Sequence, residues 1–313
     1  MSEISVLVPS YNHAPFVERT LHSIFKQTHA PKKLIVIDDG SKDESAAVIE
    51  RVLRDCPFEN EFIVRENRGL CATLNEGFAK TDDEFFAYLG SDDIWLPEFL
   101  EKQIGLLNAR PKAVLAFGHA FWIDEKEQII DRTDNWHGFS DGNALQMLLR
   151  GEIFSSPGVV YRRAALEKHK WNENSRLEDY ELYLKLATDG EFARNEEILC
   201  AWRQHGANTS DDTPLMLEEM IAAQNRLAED LKISREELNK IQKQVKFEAV
   251  FNHIRRGHRR EAAWLFLQNL NGAKSSSQIA KMLFRLAVPQ TIFQWNRTRK
   301  RREGIEKYGK LEI

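Results

Sequence analysis

Long apolar runs are missing from this 313-residue chain. No stretch reaches the roughly 18 residues that a membrane-crossing helix needs, and a mean hydropathy of −0.49 points to a soluble protein. Cysteine is scarce as well: Cys56, Cys71 and Cys200 are odd in number and far apart. Neither a disulfide framework nor a zinc cluster is indicated, which fits a reducing cytoplasm. Charge of one sign is not in excess. A formal net charge of −4 gives no reason to expect nucleic acid as a partner. The first residues, Met1-Ser2-Glu3-Ile4, lack a basic segment followed by an apolar one, so no secretory signal is expected. Two phosphate-binding signatures are absent too. No GxGxxG follows the first apolar run, and no GxxxxGK[ST] occurs, which excludes a dinucleotide fingerprint and a P-loop.

What is present is a core-forming composition, 42% hydrophobic, in a chain long enough for one large domain and an appendage. Ile4 to Val8 reads as a buried strand closed by Pro9-Ser10-Tyr11-Asn12, and a helix follows over 14–28. Leu34 to Ile37 is a second strand, ended by Asp38-Asp39-Gly40-Ser41. Phe62 to Val64 makes a third, with the turn Asn67-Arg68-Gly69-Leu70 leading into a helix over 71–79. Alternation of continuous apolar strands with amphipathic helices predicts an α/β fold, Rossmann-like, with a mostly parallel sheet covered by helices on both faces. Past Leu107 the pattern changes. Strands are expected at 114–117, 120–123 and 158–161, a return strand from Ile129, and helices at 143–150, 163–169 and 178–189. The expected organisation is a domain over 1–212, divided at 107/108, then a helical C-terminal region over 213–313.

The chemistry centres on Phe85-Phe86-Ala87-Tyr88-Leu89-Gly90-Ser91-Asp92-Asp93-Ile94-Trp95-Leu96-Pro97. A strand ends at a glycine and delivers two carboxylates where open α/β sheets bind ligands, beyond the strand ends. Such hard oxygen ligands suit Mg²⁺ or Mn²⁺ shared with substrate phosphates. The ordinary alternative is a turn whose acids cap the helix opening near Pro97. Three strand ends present polar residues to one sheet edge, and together they carry more weight than any one turn.

These motifs, Val8-Pro9-Ser10-Tyr11-Asn12, Val36-Ile37-Asp38-Asp39-Gly40-Ser41, Asn67-Arg68-Gly69 and Gly90-Ser91-Asp92-Asp93, resemble in order and spacing the family 2 glycosyltransferases of GT-A fold. The resemblance covers about the first 210 residues. It implies inverting transfer of a sugar from a nucleotide diphosphate donor, usually UDP- or dTDP-linked, to a hydroxyl of a glycan, lipid-linked or other acceptor. It assigns Pro9 and Tyr11 to the base pocket, with Tyr11 stacking, Asn12 to the nucleotide-sugar site, and Asp39 to the base imide. Asn67, Gly69, Ser91 and Asp93 line the donor site, and Asp92 is the ligand of Mn²⁺ or Mg²⁺. Glu178-Asp179 matches the family's ED motif, with Asp179 as general base. Trp202-Arg203-Gln204-His205 matches its closing segment, Arg203 facing the diphosphate and His205 completing the metal site. The remaining histidines have no metal-type spacing and receive no role. Two departures stand out: Gly90 where members often have Asp, and Leu74 where they often have Arg. Both remove donor contacts.

Ser155 to Gly158 is expected near the acceptor groove, and Trp136 and His137 in a loop that covers the acceptor or anchors itself. The aromatic-tipped, basic segment Thr291 to Arg302 has the composition of a surface lying on an anionic membrane, although a solvated charge run is the more ordinary case. The helical region would therefore serve oligomerisation or peripheral docking at the inner face of the cell membrane. A nucleotidyltransferase is disfavoured, because Pro9-Ser10-Tyr11-Asn12 is no glycine- and lysine-rich phosphate loop. A catalytically silent nucleotide- or carbohydrate-binding protein on the same fold is the remaining alternative.

Overall fold

The computed structural model describes residues 2–135, 139–206 and 208–312. Trp136 and His137 therefore lie outside the described residues. The N-terminal half alternates β1 (Ile4–Ser10), α1 (Val17–Phe25), β2 (Lys33–Asp38), α2 (Ser45–Leu53), β3 (Glu59–Val64), α3 (Leu70–Ala79) and β4 (Phe85–Tyr88). The strands run parallel in the order β3-β2-β1-β4. Every residue of β1 and β4 is buried, as a sheet covered on both faces requires. On α1, Val17, Leu21 and Ile24 recur at helical spacing and close one face of the sheet.

A two-residue strand, β5 (Ile94–Trp95), comes before α4 (Phe99–Ala109), so the helix expected from Pro97 starts later and behind Glu98. Asp92 and Asp93 thus do not cap it. Next come β6 (Ala113–Ile123), β7 (Ile129–Arg132), α5 (Leu145–Leu149), β8 (Val160–Arg162), α6 (Arg163–His169), α7 (Glu178–Asp189) and β9 (Glu191–Arg203). Two details differ from expectation. The segments 114–117 and 120–123 form one continuous strand, β6, because the ladder to β9 resumes at His119, opposite Ile198, after a shift of register at Gly118. Residues 191–203, unassigned from the sequence, form the long strand β9. The second half-sheet is mixed. β8 is antiparallel to β4 and β6, β9 is parallel to β6, and β5 closes antiparallel on β9 through Ile94–Ala201 and Trp95–Cys200. The fold is GT-A-like, with a helical C-terminal region.

That region comprises α8 (Thr213–Leu227), α9 (Arg235–Arg256), α10 (Arg259–Gln268), α11 (Ser276–Ala287) and α12 (Gln290–Tyr308). Ser234 caps α9 by accepting from Glu237 N–H at 3.2 Å, and Gly257 ends it in the left-handed conformation that favours glycine, φ 97°. α8 is built into the sheet domain. Gln224 donates to Tyr180 Oη at 2.8 Å and Leu149 O at 3.0 Å, and Arg226 pairs with Glu181. The basic segment expected as a tail is helical and docked. Arg301 bonds Asp124 Oδ2 at 2.8 Å, Ile129 N–H donates to Gly309 O at 2.9 Å, and Leu311 N–H donates to Glu127 O at 2.9 Å.

Among the described residues no helix is long and apolar enough to cross a membrane. Gly304 is buried where α12 crosses β7, and a side chain there would meet the Ile130 carbonyl. Gly304→Ala should therefore cost about 1–3 kcal/mol by overpacking. Chemical denaturation checks this, and a wild-type midpoint would show that α12 lifts off freely.

Candidate active site at the strand ends

The loops after β1 and β2 are tied to each other. Asn12 takes a left-handed conformation, φ 54°, which asparagine tolerates better than most residues. Its N–H donates to Ser41 Oγ at 2.9 Å, and its side-chain oxygen accepts from Lys42 N–H at 2.7 Å. His13 N–H donates to Ser45 Oγ, and Ala14 N–H to Asp43 Oδ2. Tyr11 stands 45% exposed at the mouth of this frame, free to stack on a planar ligand, whereas Pro9 is buried within β1 opposite Ile37. Asp38 makes the turn, accepting from the backbone and hydroxyl of Ser41.

Asp39 is buried and faces the next loop. Its oxygens accept from Arg68 N–H at 2.9 Å and Gly69 N–H at 2.8 Å, and it pairs with Arg65, a residue sequence reasoning missed. Gly69 precedes α3 with φ 88°, and Asn67 lies exposed where its backbone passes close to Gly40. Leu74 is buried in the core, so this chain offers no cation from that position. Its neighbour Asn75 clamps the segment ahead of α7, donating to Trp171 O and accepting from Trp171 N–H.

At the end of β4 the turn is held from below. Thr20 Oγ1 donates to Ser91 O and Asp93 O, at 2.9 and 2.8 Å. Because β5 pairs with β9, the end of β9 returns His205 onto this turn: His205 Nε2 lies 2.9 Å from Asp92 Oδ2. His13, to which the sequence assigned no chemistry, belongs to the same group. Its Nδ1 lies 2.8 Å from Ser91 Oγ and 3.7 Å from Asp92 Oδ1. One donor atom each from His13, Asp92 and His205 falls within 4.8 Å of the others, close enough to share a cation. No spacing rule reveals His13, since 79 positions in the sequence separate it from Asp92. The one signal was its place directly after the first strand-end motif.

Burial acts against ionising Asp92, but the His205 hydrogen bond and nearby His13 hold its carboxyl below the ordinary value. Asp93 goes the other way, pushed well above the usual range by burial and by Asp92. Burial likewise lowers His13, favouring the neutral imidazole that a metal needs. Arg203, expected on a diphosphate, turns inward. It is 1% exposed, with Nε 2.7 Å from Asp92 O, Nη1 3.1 Å from Asp124 O, and its backbone N–H 2.8 Å from Asp93 Oδ1.

The two acids of α7 also meet this edge. Tyr88, the last residue of β4, lies with its hydroxyl 3.3 Å from Glu178 Oε1. Burial pushes Glu178 upward, and burial together with Glu178 pushes Asp179 well above the usual range. Asp179 Oδ1 is buried with no hydrogen-bond partner.

The family model described as glycosyl transferase family 2 matches residues 5–170, more than half of the chain. The chain belongs to that family. Among relatives of this chain, an uncharacterized glycosyltransferase of Nostoc sp. is 30% identical over 216 residues, 66% of either chain. The succinoglycan biosynthesis protein ExoU of Rhizobium meliloti is 29% identical over 206 residues, 60% of this chain and 58% of that one. The chain thus spans less than two thirds of either relative. Two solved structures share its fold. The mannosyltransferase PcManGT from Pyrobaculum calidifontis, in complex with GDP-Man and Mn²⁺, superposes with a TM-score of 0.65 at 16% identity, covering 98% of this chain and 86% of that one. S. aureus TarS in complex with UDP-GlcNAc gives 0.60 at 15% identity, with 99% and 93% covered.

A methyl group at Gly90 would lie 2.9 Å from Asp92 Oδ1 and 3.4 Å from Asp93 Oδ2. In this chain the missing side chain is room for Asp92 to meet the histidines. If these three side chains share a divalent cation, Gly90→Ala should weaken its binding by roughly tenfold, the low end for disturbing a ligand's support. Titration followed by Mn²⁺ paramagnetic resonance checks this, and unchanged affinity would mean that Asp92 swings aside without cost.

Proposed function

We propose that this family 2 glycosyltransferase is inverting and moves a sugar from a UDP- or dTDP-linked diphosphate donor to a hydroxyl acceptor in cell-surface polysaccharide or lipid-linked glycan synthesis. The observation that carries the reading is that one strand end, β4, joins both halves of the chemistry: Tyr88 touches Glu178, and Asp92, four residues on, bonds His205. The donor binds over 1–107 and the acceptor over 108–212, with 213–313 bracing the acceptor side. Tyr11 stacks on the base, Asp39 accepts from its imide N–H, and Asn12, Asn67, Gly69 and Ser91 shape the pocket around it. Three free cysteines accord with a cytoplasmic enzyme.

His13, Asp92 and His205 make a mixed nitrogen and oxygen donor set, which fits Mn²⁺ better than Mg²⁺, since magnesium favours oxygen alone. Bound there, a divalent cation would offset the charge growing on the departing diphosphate. Asp93 sits behind Asp92, where burial and the Asp92 charge push its carboxyl well above the usual range and so oppose a second negative charge beside that ligand. Arg203 acts by positioning: it fixes the Asp92 carbonyl and the Asp93 carboxyl and leaves the diphosphate to other groups.

Asp179 takes the acceptor hydroxyl proton as the new glycosidic bond forms on the opposite face of the sugar from the leaving group. Its raised pKa makes it a stronger base once ionised and moves the acidic limb of the pH–rate profile above the ordinary carboxylate range. The same shift sets a stability slope. The folded chain keeps this proton to higher pH than the unfolded chain, so stability falls as pH rises through the folded value. Asp179→Asn removes that loss. It should lower turnover about 10²–10⁴-fold and melt above the wild type near pH ~8, with the gap closing at acid pH. Wild-type turnover in this variant would exclude Asp179 as base.

Thermal unfolding against UDP, dTDP, GDP and CMP, each with Mn²⁺ or EDTA, tests the donor site. A nucleotide at about 100 times its Kd should add about 2.7 kcal/mol. The shift should appear with UDP or dTDP, vanish in EDTA and vanish in Asp92→Ala. A shift indifferent to EDTA would refute the metal–diphosphate reading.

A further inference from the structure

Exposed large apolar side chains are concentrated in one part of this molecule. Of the ten among the described residues, seven lie from Trp264 to Trp295. On α11 the outward positions Ala280, Leu283, Phe284 and Ala287 follow i, i+3, i+4, i+7, while Met282 turns in to the small core of the C-terminal helices. Leu283 is 52% and Phe284 71% exposed. Two residues beyond α11, α12 continues with Ile292 at 51% and Trp295 at 61% exposure, one turn apart on one face. A helix exposing a large hydrophobic stripe fits neither water nor a core.

The charge around these residues is predominantly positive. From Ser276 to Tyr308 there are eight basic and two acidic side chains, in a chain whose net charge is −4. Arg285 and Arg301 are used internally, over the Phe251 ring and on Asp124. Arg299 lies over the Trp295 ring at 4.9 Å and on the same face, with Arg302 three positions further on. Their partners, Glu303 at 3.4 Å and Glu306 at 3.8 Å, are one turn along the same exposed helix. Such pairs are weak and exchange readily for a stronger anion.

We propose that α11 and α12 form a peripheral docking surface for membranes of anionic phospholipid. Leu283, Phe284, Ile292 and Trp295 enter the boundary between headgroups and acyl chains, and Lys281, Arg299, Lys300 and Arg302 contact phosphate. Apolar insertion and basic attraction together are the combination that holds amphipathic helices at an anionic interface. The surface does not move independently of the sheet domain. Arg301 on Asp124, Gly304 against Ile130, and the Gly309 and Leu311 backbone bonds fix α12 to the turn that holds Arg203. Trp295 and Arg301 are six residues apart, about 9 Å along a helix, so docking sets the catalytic crevice at a constant height above the lipid. This inference stands independently of the donor and the reaction.

The test is co-sedimentation of the full chain with vesicles of phosphatidylglycerol and phosphatidylcholine, and with phosphatidylcholine alone. The expected result is binding to the anionic vesicles only, falling roughly tenfold or more between ~0.1 and ~0.5 M salt. Phe284→Ser with Trp295→Ser, and separately Lys300→Glu with Arg302→Glu, should each abolish it. Both pairs are exposed, and an unchanged melting temperature establishes that the fold is intact. A wild-type chain that stays in the supernatant would overturn the proposal. So would binding that survives both double variants, or a dimer, seen by sedimentation equilibrium, that the apolar variant dissociates.

Discussion

One buried guanidinium joins four parts of this molecule. Removing a cation from water costs several kcal/mol unless partners replace the lost solvation. Arg203 finds them in the Asp92 and Asp124 carbonyls and the Glu127 carboxylate, with the Phe16 ring beneath it at 4.9 Å. The end of β9, the turn bearing the metal-capable carboxylate, the loop entering α1 and the turn before β7 are therefore fixed by one group. That last turn is held from its other side by Arg301 and Leu311. The position of Asp92 thus depends on residues more than 200 places later in the chain.

The two pairs of adjacent acids show how a fold gives neighbouring carboxyls different work. Asp92 and Asp93 share a turn, yet one faces two imidazoles and the other faces the interior, so their affinities for protons separate in opposite directions. Environment rather than residue type sets the assignment. At Glu178 and Asp179 both carboxyls are raised, and the difference between them is a partner. Tyr88 serves Glu178, while one oxygen of Asp179 is left without a hydrogen bond in the protein. An acid buried with an unsatisfied oxygen costs stability, and such costs collect where a protein does chemistry.

Much of the sheet was legible because its strands are buried on both faces and read as continuous apolar runs. β9 was not legible. Arg194, Glu196 and Glu197 interrupt its apolar pattern, and the strand is recognised only through its partners β6 and β5. At the site, the order of the strand-end motifs pointed to Asp39 and Asp92 because carboxylates and glycines after strands are local features. His13 and Arg65 escaped notice because their meaning lies in partners distant in sequence. Arg203 illustrates a third limit. Its type was compatible with a diphosphate, but a sequence does not record which way a side chain faces, and packing against Phe16 turned it inward. Gly90 looked like a lost contact and is, in three dimensions, the space Asp92 occupies.

The stitching of the first two loops has a kinetic meaning of its own. Asn12 bonds both ways to Ser41 and Lys42, and His13 and Ala14 bond to Ser45 and Asp43, so neither loop has much freedom left to lose. A planar ligand stacking on Tyr11 would meet a surface already in shape, with little ordering entropy charged against its affinity. Capture at this end of the crevice would then be a rigid-body encounter, its speed set by diffusion and orientation rather than by loop folding.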